Sequence, residues 1–129
     1  MKHLLFITLL LCSCKSIACS GNEDPLALDG KAIIIPGTKL IGIEISATHE
    51  SKEFRLSGAS LYQGENLIPM YRGYEESGNH LYYLKGERDF LLNAIFKVTY
   101  TGKESLCAKT KELNLKDVLR NCNECNKGI

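Results

Sequence analysis

The stretch that decides the fold class is Ala94-Ile95-Phe96-Lys97-Val98-Thr99-Tyr100. Its side chains alternate in direction if the backbone is extended, which separates two sets: Ala94, Phe96, Val98 and Tyr100 on one face, and Ile95, Lys97 and Thr99 on the other. A period of two with one bulky apolar face is typical of a strand that packs on a core. The stretch therefore predicts a half-buried β-strand.

Six further short segments carry the same signature, and Gly, Pro or Asn residues punctuate the chain between them. They are Ala32–Ile35, Leu40–Thr48, Glu53–Gln63, Leu67–Tyr71, His80–Leu84 and Ser105–Glu112. Two of them carry additional detail. The alternation of the third changes parity at Ser57-Gly58, which predicts a β-bulge. The fourth contains Pro69, which favours a sheet edge.

One segment, residues 115–121, predicts a helix. Asn114 can cap it, and Asp117 falls in its first turn, where negative charge is favoured. Leu115, Val118, Leu119 and Cys122 then lie on one face. Seven strands and one short C-terminal helix predict a mainly β fold, either an immunoglobulin-like antiparallel sandwich or a small barrel.

The first residues predict export. Met1-Lys2-His3 precedes an apolar run from Leu4 to Leu11, the layout of a signal peptide, and that run is too short to span a bilayer. We expect a signal peptide over residues 1–14, with an alternative end at residue 18 after Ser16-Ile17-Ala18. Cleavage before Cys14 would leave that thiol to carry lipid such as palmitate. Lipidation of Cys19 is the other alternative, although Lys15 interrupts its apolar approach.

Residues 15–29 are polar and predict a tether, and residues 30–129 predict the β-rich domain. Removing residues 1–14 takes Lys2 away and leaves 15 basic and 15 acidic side chains. A neutral domain with interspersed charges has no basic field for nucleic acid, so we expect no nucleic-acid partner.

Four cysteines without lipid remain after cleavage before Cys14 or after Ala18: Cys19, Cys107, Cys122 and Cys125. An even number predicts two disulfides in an oxidising compartment. Cys122 and Cys125 have C-x-x-C spacing, but no βαβ unit precedes them, as a redox motif would require. We expect one or both of them to tie the tail to Cys107 or to the segment around Cys19. Alternation places Cys107 on the solvated face with Lys109 and Lys111.

The sequence contains no recognisable catalytic constellation, Gly-rich phosphate loop or metal motif. His49 and His80 are isolated, and we expect both on the surface. We therefore expect no catalytic residue, no metal and no cofactor. The candidate binding patch is Tyr71, Arg72 and Tyr74, with Tyr82 nearby, because Tyr and Arg are enriched at binding hot spots.

Leu11-Cys12-Ser13-Cys14 resembles the bacterial lipobox, and with the strand layout the chain resembles small bacterial envelope lipoproteins with a β-sandwich body. These include immunity lipoproteins of type VI secretion systems. The resemblance implies a lipid-anchored protein of the periplasm, on the cell membrane or the outer membrane, that neutralises a toxin by covering its active site. A secreted soluble form is the alternative localisation.

Three functions follow as hypotheses. The first is a non-enzymatic envelope protein that binds another protein, a toxin or an envelope enzyme, as an immunity protein or inhibitor. The second is a structural or adhesive component that binds glycan or a neighbouring subunit. The third is a small thiol oxidoreductase or hydrolase.

Overall fold

A computed structural model describes residues 26–68, 75–76, 78–104 and 106–126. Within these residues the chain forms eight strands, two short α-helices and one 3₁₀ turn. In chain order they are β1 (Leu28–Ile34), β2 (Ile41–Thr48), β3 (Phe54–Gln63), β4 (Asn66–Ile68), β5 (Glu75–Glu76), β6 (Asn79–Gly86), α1 (Arg88–Leu92), β7 (Ala94–Gly102), β8 (Ala108–Asn114), α2 (Leu115–Arg120) and the 3₁₀ turn Glu124–Asn126.

The strands form two antiparallel four-stranded sheets. The front sheet has the order β1-β2-β6-β5 and the back sheet the order β4-β3-β7-β8. This is the strand order of an immunoglobulin-like sandwich, with A, B, E and D in one sheet, C, F and G in the other, and one added strand beside C. The mainly β fold and the antiparallel sandwich are confirmed.

The core lies between the two sheets and is built from alternate residues of their central strands. In β2 every second residue from Ile41 to Ala47 is buried, and in β7 every second residue from Ala94 to Tyr100 is buried. The predicted core face of β7 is therefore confirmed, and β2 has the alternation that was predicted for its segment. Burial of these apolar side chains is the main favourable contribution to folding.

Two predicted irregularities of the back sheet are also present. The register between β3 and β7 shifts between Leu56 and Gly58, which confirms the bulge. The strand β4 lies at the edge of the back sheet, as the proline suggested, although Pro69 itself lies outside the described residues.

The C-terminal helix is confirmed as α2, one residue shorter than predicted. The side chain of Asn114 accepts a hydrogen bond from the Lys116 backbone N–H at 3.2 Å and so caps the helix. The helix packs on β1 at Gly30, where a Cβ atom would lie 2.9 Å from Val118 Cγ2. Glycine is needed there because any side chain would push the helix off the strand.

The structure differs from the prediction at β1, at β6 and in an additional helix. The strand β1 begins at Leu28 and Leu26 is already buried, so the segment expected to be a tether through residue 29 joins the domain earlier. The strand β6 continues to Gly86, two residues beyond the predicted end at Leu84. A second helix, α1, follows it and buries Leu91 completely. Five residues are too few to show a helical period, which is why the sequence pattern missed α1.

Candidate functional site

The candidate site is the outer face of the front sheet, where β1, β2 and β6 lie side by side. The register aligns Ile33 with Gly42 and Lys85 in one row. The next row aligns Lys31 with Glu44 and Tyr83. Directly opposed residues of antiparallel strands share a face, so these two rows form one continuous surface.

Gly42 makes the centre of this surface concave. It has no side chain, and a Cβ atom built on it would still lie 3.5 Å from Ile35 Cγ1 and 3.9 Å from Ile33 Cγ1. The isoleucines thus form one wall beside a floor of bare backbone. Ile33 is 62% exposed and Tyr83 is 40% exposed. A hollow of about 700 Å³ opens here, and its lining extends beyond the front sheet to Ile68 of β4 and Phe90 of α1.

A second hollow of about 430 Å³ adjoins the first on the same face, and Lys31 and Glu44 line both. The rest of its lining is more polar and includes Asp29, Ser46 and Asn79. The front-sheet face therefore has an apolar half around Gly42 and a polar half beside it. Charges of both signs border the apolar half, because Lys31, Glu44 and Lys85 all line it.

One member of the predicted binding patch lies within the described residues. Tyr71, Arg72 and Tyr74 lie outside the described residues. Tyr82 is described, and its assignment to a surface patch is wrong because its side chain is only 6% exposed. Its ring lies 5.1 Å from the Phe96 ring, between centroids, and packs in the core. The neighbouring Tyr83 is the exposed tyrosine of β6.

The two histidines also differ from expectation. His80 is only 5% exposed, and its ring stacks on that of His49 with 5.7 Å between centroids. The two are therefore neighbours, and His80 is not a surface residue. Sequence separation hid this contact, since the strand β6 and the loop after β2 come together only in the fold.

The cysteines pair differently from the prediction. Cys122 and Cys125 form a disulfide with each other, so the C-x-x-C pair does not tie the tail to Cys107. Cys107 is itself disulfide-bonded and only 3% exposed, which corrects its placement on the solvated face. It precedes β8 and so does not share the strand alternation of Lys109 and Lys111. Cys14 and Cys19 lie outside the described residues.

A charged cluster joins two loops at one end of the sandwich. The Glu50 carboxylate lies 2.6 Å from Lys103 Nζ and 3.4 Å from an Arg55 nitrogen. Hydrogen bonds from Lys103 and then from Arg55 lower the pKa of Glu50 below its ordinary value. The cluster is exposed, so it holds the loops in place with little effect on stability.

Within the described ranges, no group of three or more His, Cys, Asp or Glu side chains is placed to hold a metal ion. None of the helices described is long and apolar enough to cross a membrane. No protein-family model, curated protein or solved structure matches the chain.

Proposed function

We propose that this chain is a non-enzymatic protein of the bacterial envelope that binds and inhibits another protein through its front-sheet face. The observation that carries the proposal is the pairing of two exposed apolar side chains, Ile33 and Tyr83, with the hollow over Gly42. Its envelope location is supported by the export signal predicted over residues 1–14 and by the disulfide between Cys122 and Cys125.

The face has the composition of a protein-binding hot spot. Such sites centre on a few large side chains beside a pocket that excludes water when the partner docks. Tyr83 offers a large and rigid side chain, Ile33 offers apolar area, and Gly42 leaves room for a protruding partner side chain. The hollow is open to solvent and has residues of both sheets in its lining, which leaves room for a protruding side chain of a partner protein.

The charges around the hollow support a partner with charges of both signs. Lys31 and Lys85 flank Glu44 across the three strands. Such a mixed rim gives specificity and register more than affinity, because a wrong partner meets a like charge. Binding should therefore depend only moderately on salt, unlike binding to a polyanion.

The test begins with affinity capture of the mature protein from an envelope extract, followed by mass spectrometry. Each captured protein is then measured against the variants Tyr83→Ala and Ile33→Asp. Loss of a hot-spot side chain weakens binding roughly tenfold or more. The matched control is Leu67→Ala, which removes a 63% exposed apolar side chain from β4 in the other sheet.

A second variant separates binding from folding. Gly42→Thr would place a good strand former where a Cβ atom makes only ordinary contacts, so the fold should keep its stability. The added side chain would fill the hollow and reduce affinity. A partner that binds Gly42→Thr and Tyr83→Ala as tightly as the wild type would contradict the proposal.

Glycan binding is the second candidate, and one observation favours it. The exposed Tyr83 ring lies beside the polar hollow lined by Asp29, Ser46 and Asn79, which offers stacking and hydrogen bonding side by side. Co-sedimentation with purified peptidoglycan separates the two functions. Sedimentation that Tyr83→Ala abolishes, with no captured protein sensitive to that variant, would favour the glycan.

A further inference from the structure

Cys107 has a disulfide partner that the described residues do not supply. Cys107 is disulfide-bonded, and the two other described cysteines, Cys122 and Cys125, are bonded to each other. The remaining cysteines of the chain are Cys12, Cys14 and Cys19. The partner must be one of these three.

We propose that Cys19 is this partner, and that the Cys19–Cys107 disulfide holds the loop between β7 and β8 against the membrane surface. Cleavage before Cys14 or after Ala18 removes Cys12 in both cases and retains Cys19 in both. In the first case the Cys14 sulfur carries lipid and cannot form a disulfide, and in the second case Cys14 is removed. The disulfide does not depend on the proposed function, whereas the membrane contact rests on the envelope location proposed above and on the lipid predicted at Cys14.

The direction of the chain at the start of the domain supports this pairing. The Leu26 carbonyl accepts a hydrogen bond from Lys111 Nζ in β8. Further along, a Cβ atom on Gly30 would lie 3.1 Å from Leu113 Cδ2. Residues 26–30 and β8 therefore run in the same sense, and Leu26 is the end of this segment nearer to Cys107.

The segment between Cys19 and Leu26 is long enough to bring Cys19 to Cys107. Four strand residues separate Lys111 from Cys107, a distance of about 13 Å at about 3.3 Å per residue. Cys19 precedes Leu26 by enough chain to span about 23 Å when extended. The surplus allows the segment to follow the surface and still place the two sulfur atoms in contact.

Formation of the bond requires an oxidant. The two thiols lose two protons and two electrons as the S–S bond forms. An envelope dithiol oxidase in its disulfide form accepts the electrons by thiol–disulfide exchange and is released as the dithiol. No metal or further co-reactant is needed.

The disulfide changes the length of the tether. We expected a tether over residues 15–29, but with Cys19 fixed to the domain only the segment from Cys14 to Cys19 stays free. That segment spans at most about 17 Å. Leu106, next to Cys107, is 98% exposed, and so a bare apolar side chain lies beside the point of attachment. A lipid surface is the apolar phase within reach of it.

Peptide mapping tests the bond. The full chain is purified from the envelope of an expressing bacterium, alkylated without reduction and digested with trypsin. The expected product joins peptide 16–31, or 19–31 after cleavage at Ala18, to peptide 104–109. Alkylated Cys107, or a link from Cys107 to any other peptide, would overturn the pairing.

Tryptophan quenching tests the membrane contact, because the chain contains no tryptophan. The lipidated Leu106→Trp protein is reconstituted in vesicles that contain brominated lipid. We expect at least about twofold stronger quenching than for the control Tyr83→Trp on the front-sheet face, since an interfacial side chain enters the acyl boundary. Adding Cys19→Ser to Leu106→Trp should reduce the difference.

The outcomes separate the two halves of the proposal and the proposed function. Equal quenching at both positions, or an intact mass without lipid, overturns the membrane contact and leaves the mapped disulfide standing. Loss of partner capture by the front-sheet variants, with quenching unchanged, supports the proposed function independently.

Discussion

At the scale of single residues, Tyr100 joins the two sheets. Its ring is fully buried in β7, and its hydroxyl donates a hydrogen bond of 2.8 Å to the Thr48 carbonyl at the end of β2. Burial, and to a smaller extent the nearby Tyr82, raise the pKa of Tyr100 to about 12. The neutral phenol is therefore the form that the folded protein stabilises.

Tyr100→Phe removes this hydrogen bond and leaves the Thr48 carbonyl without it. We expect the free energy of unfolding to fall by about 1 kcal/mol, the usual net value for one hydrogen bond. Urea denaturation measures the change. The control is Tyr62→Phe in β3, whose partly exposed ring contacts Lys97 Nζ at 5.1 Å and should tolerate the loss of its hydroxyl. Equal effects in both variants would show that the Tyr100 hydroxyl adds nothing specific.

The raised pKa also predicts loss of stability at high pH. In the unfolded chain Tyr100 ionises near its ordinary value of 10.0, but in the folded protein only near 12. The contribution of the Tyr100 hydroxyl to the free energy of unfolding is fully present below pH 10 and declines as the pH rises toward 12. The reason is that Tyr100 loses its proton at a lower pH in the unfolded chain than in the folded protein. Urea midpoints at about pH 8 and about pH 11 should therefore differ more for the wild type than for Tyr100→Phe. Parallel declines would contradict the assignment.

The tyrosines also show what the sequence could not decide. Residues 80–84 are HLYYL, in which both alternating sets contain bulky side chains. Alternation then separates Tyr82 from Tyr83 but does not say which of them faces the core. The register decides it, since Tyr82 lies opposite Ile45, which is fully buried.

At the scale of elements, the contact between β1 and α2 depends on Gly30. Gly30→Ala would place a Cβ atom 2.9 Å from Val118 Cγ2 in a stiff, buried valine. We expect a loss of about 1–3 kcal/mol in the free energy of unfolding, as is typical of overpacking. Urea or thermal denaturation measures it.

Gly58→Ala is the matched control for this change. Gly58 also lies in a strand, at the bulge of β3, but a Cβ atom there would have no heavy atom within 4 Å. Its effect should stay within about 0.5 kcal/mol, as for ordinary surface substitutions. If Gly58→Ala proved as costly as Gly30→Ala, the loss in Gly30→Ala could not be assigned to the contact with the helix.

Elements with a repeating pattern were predictable, and elements without one were not. The strands β2 and β7 alternate over seven or more residues, and α2 has both a capping asparagine and an apolar face. By contrast, α1 is five residues long and its N-cap residue, Glu87, makes no side-chain capping bond. Its existence depends on the burial of Leu91, which only the assembled core provides.

At the scale of the whole molecule, the fold followed from pattern, whereas the candidate site did not. Lys31, Gly42 and Tyr83 come from three strands, and β6 reaches β2 only after the chain has crossed to the other sheet and back. A concave surface made by the absence of a side chain at Gly42 has no signature along the chain. The prediction of the cysteine pairing was wrong for the same reason, since the partner of Cys107 depends on which chain segments meet in the fold.

The two disulfides should differ in their effect on global stability, because they close loops of very different length. In the chain-entropy model a cross-link from residue 19 to residue 107 stabilises the fold by about 4–5 kcal/mol, and one from 122 to 125 by about 2 kcal/mol. Cys19→Ala with Cys107→Ala should therefore lower the free energy of unfolding about twice as much as Cys122→Ala with Cys125→Ala. Each pair is measured by urea denaturation of the oxidised protein, and the wild type in reductant should lose about as much as both pairs together. A smaller loss for the first pair than for the second would mean that Cys107 is joined to a partner that does not close the domain, and the proposed Cys19–Cys107 bond would have to be abandoned.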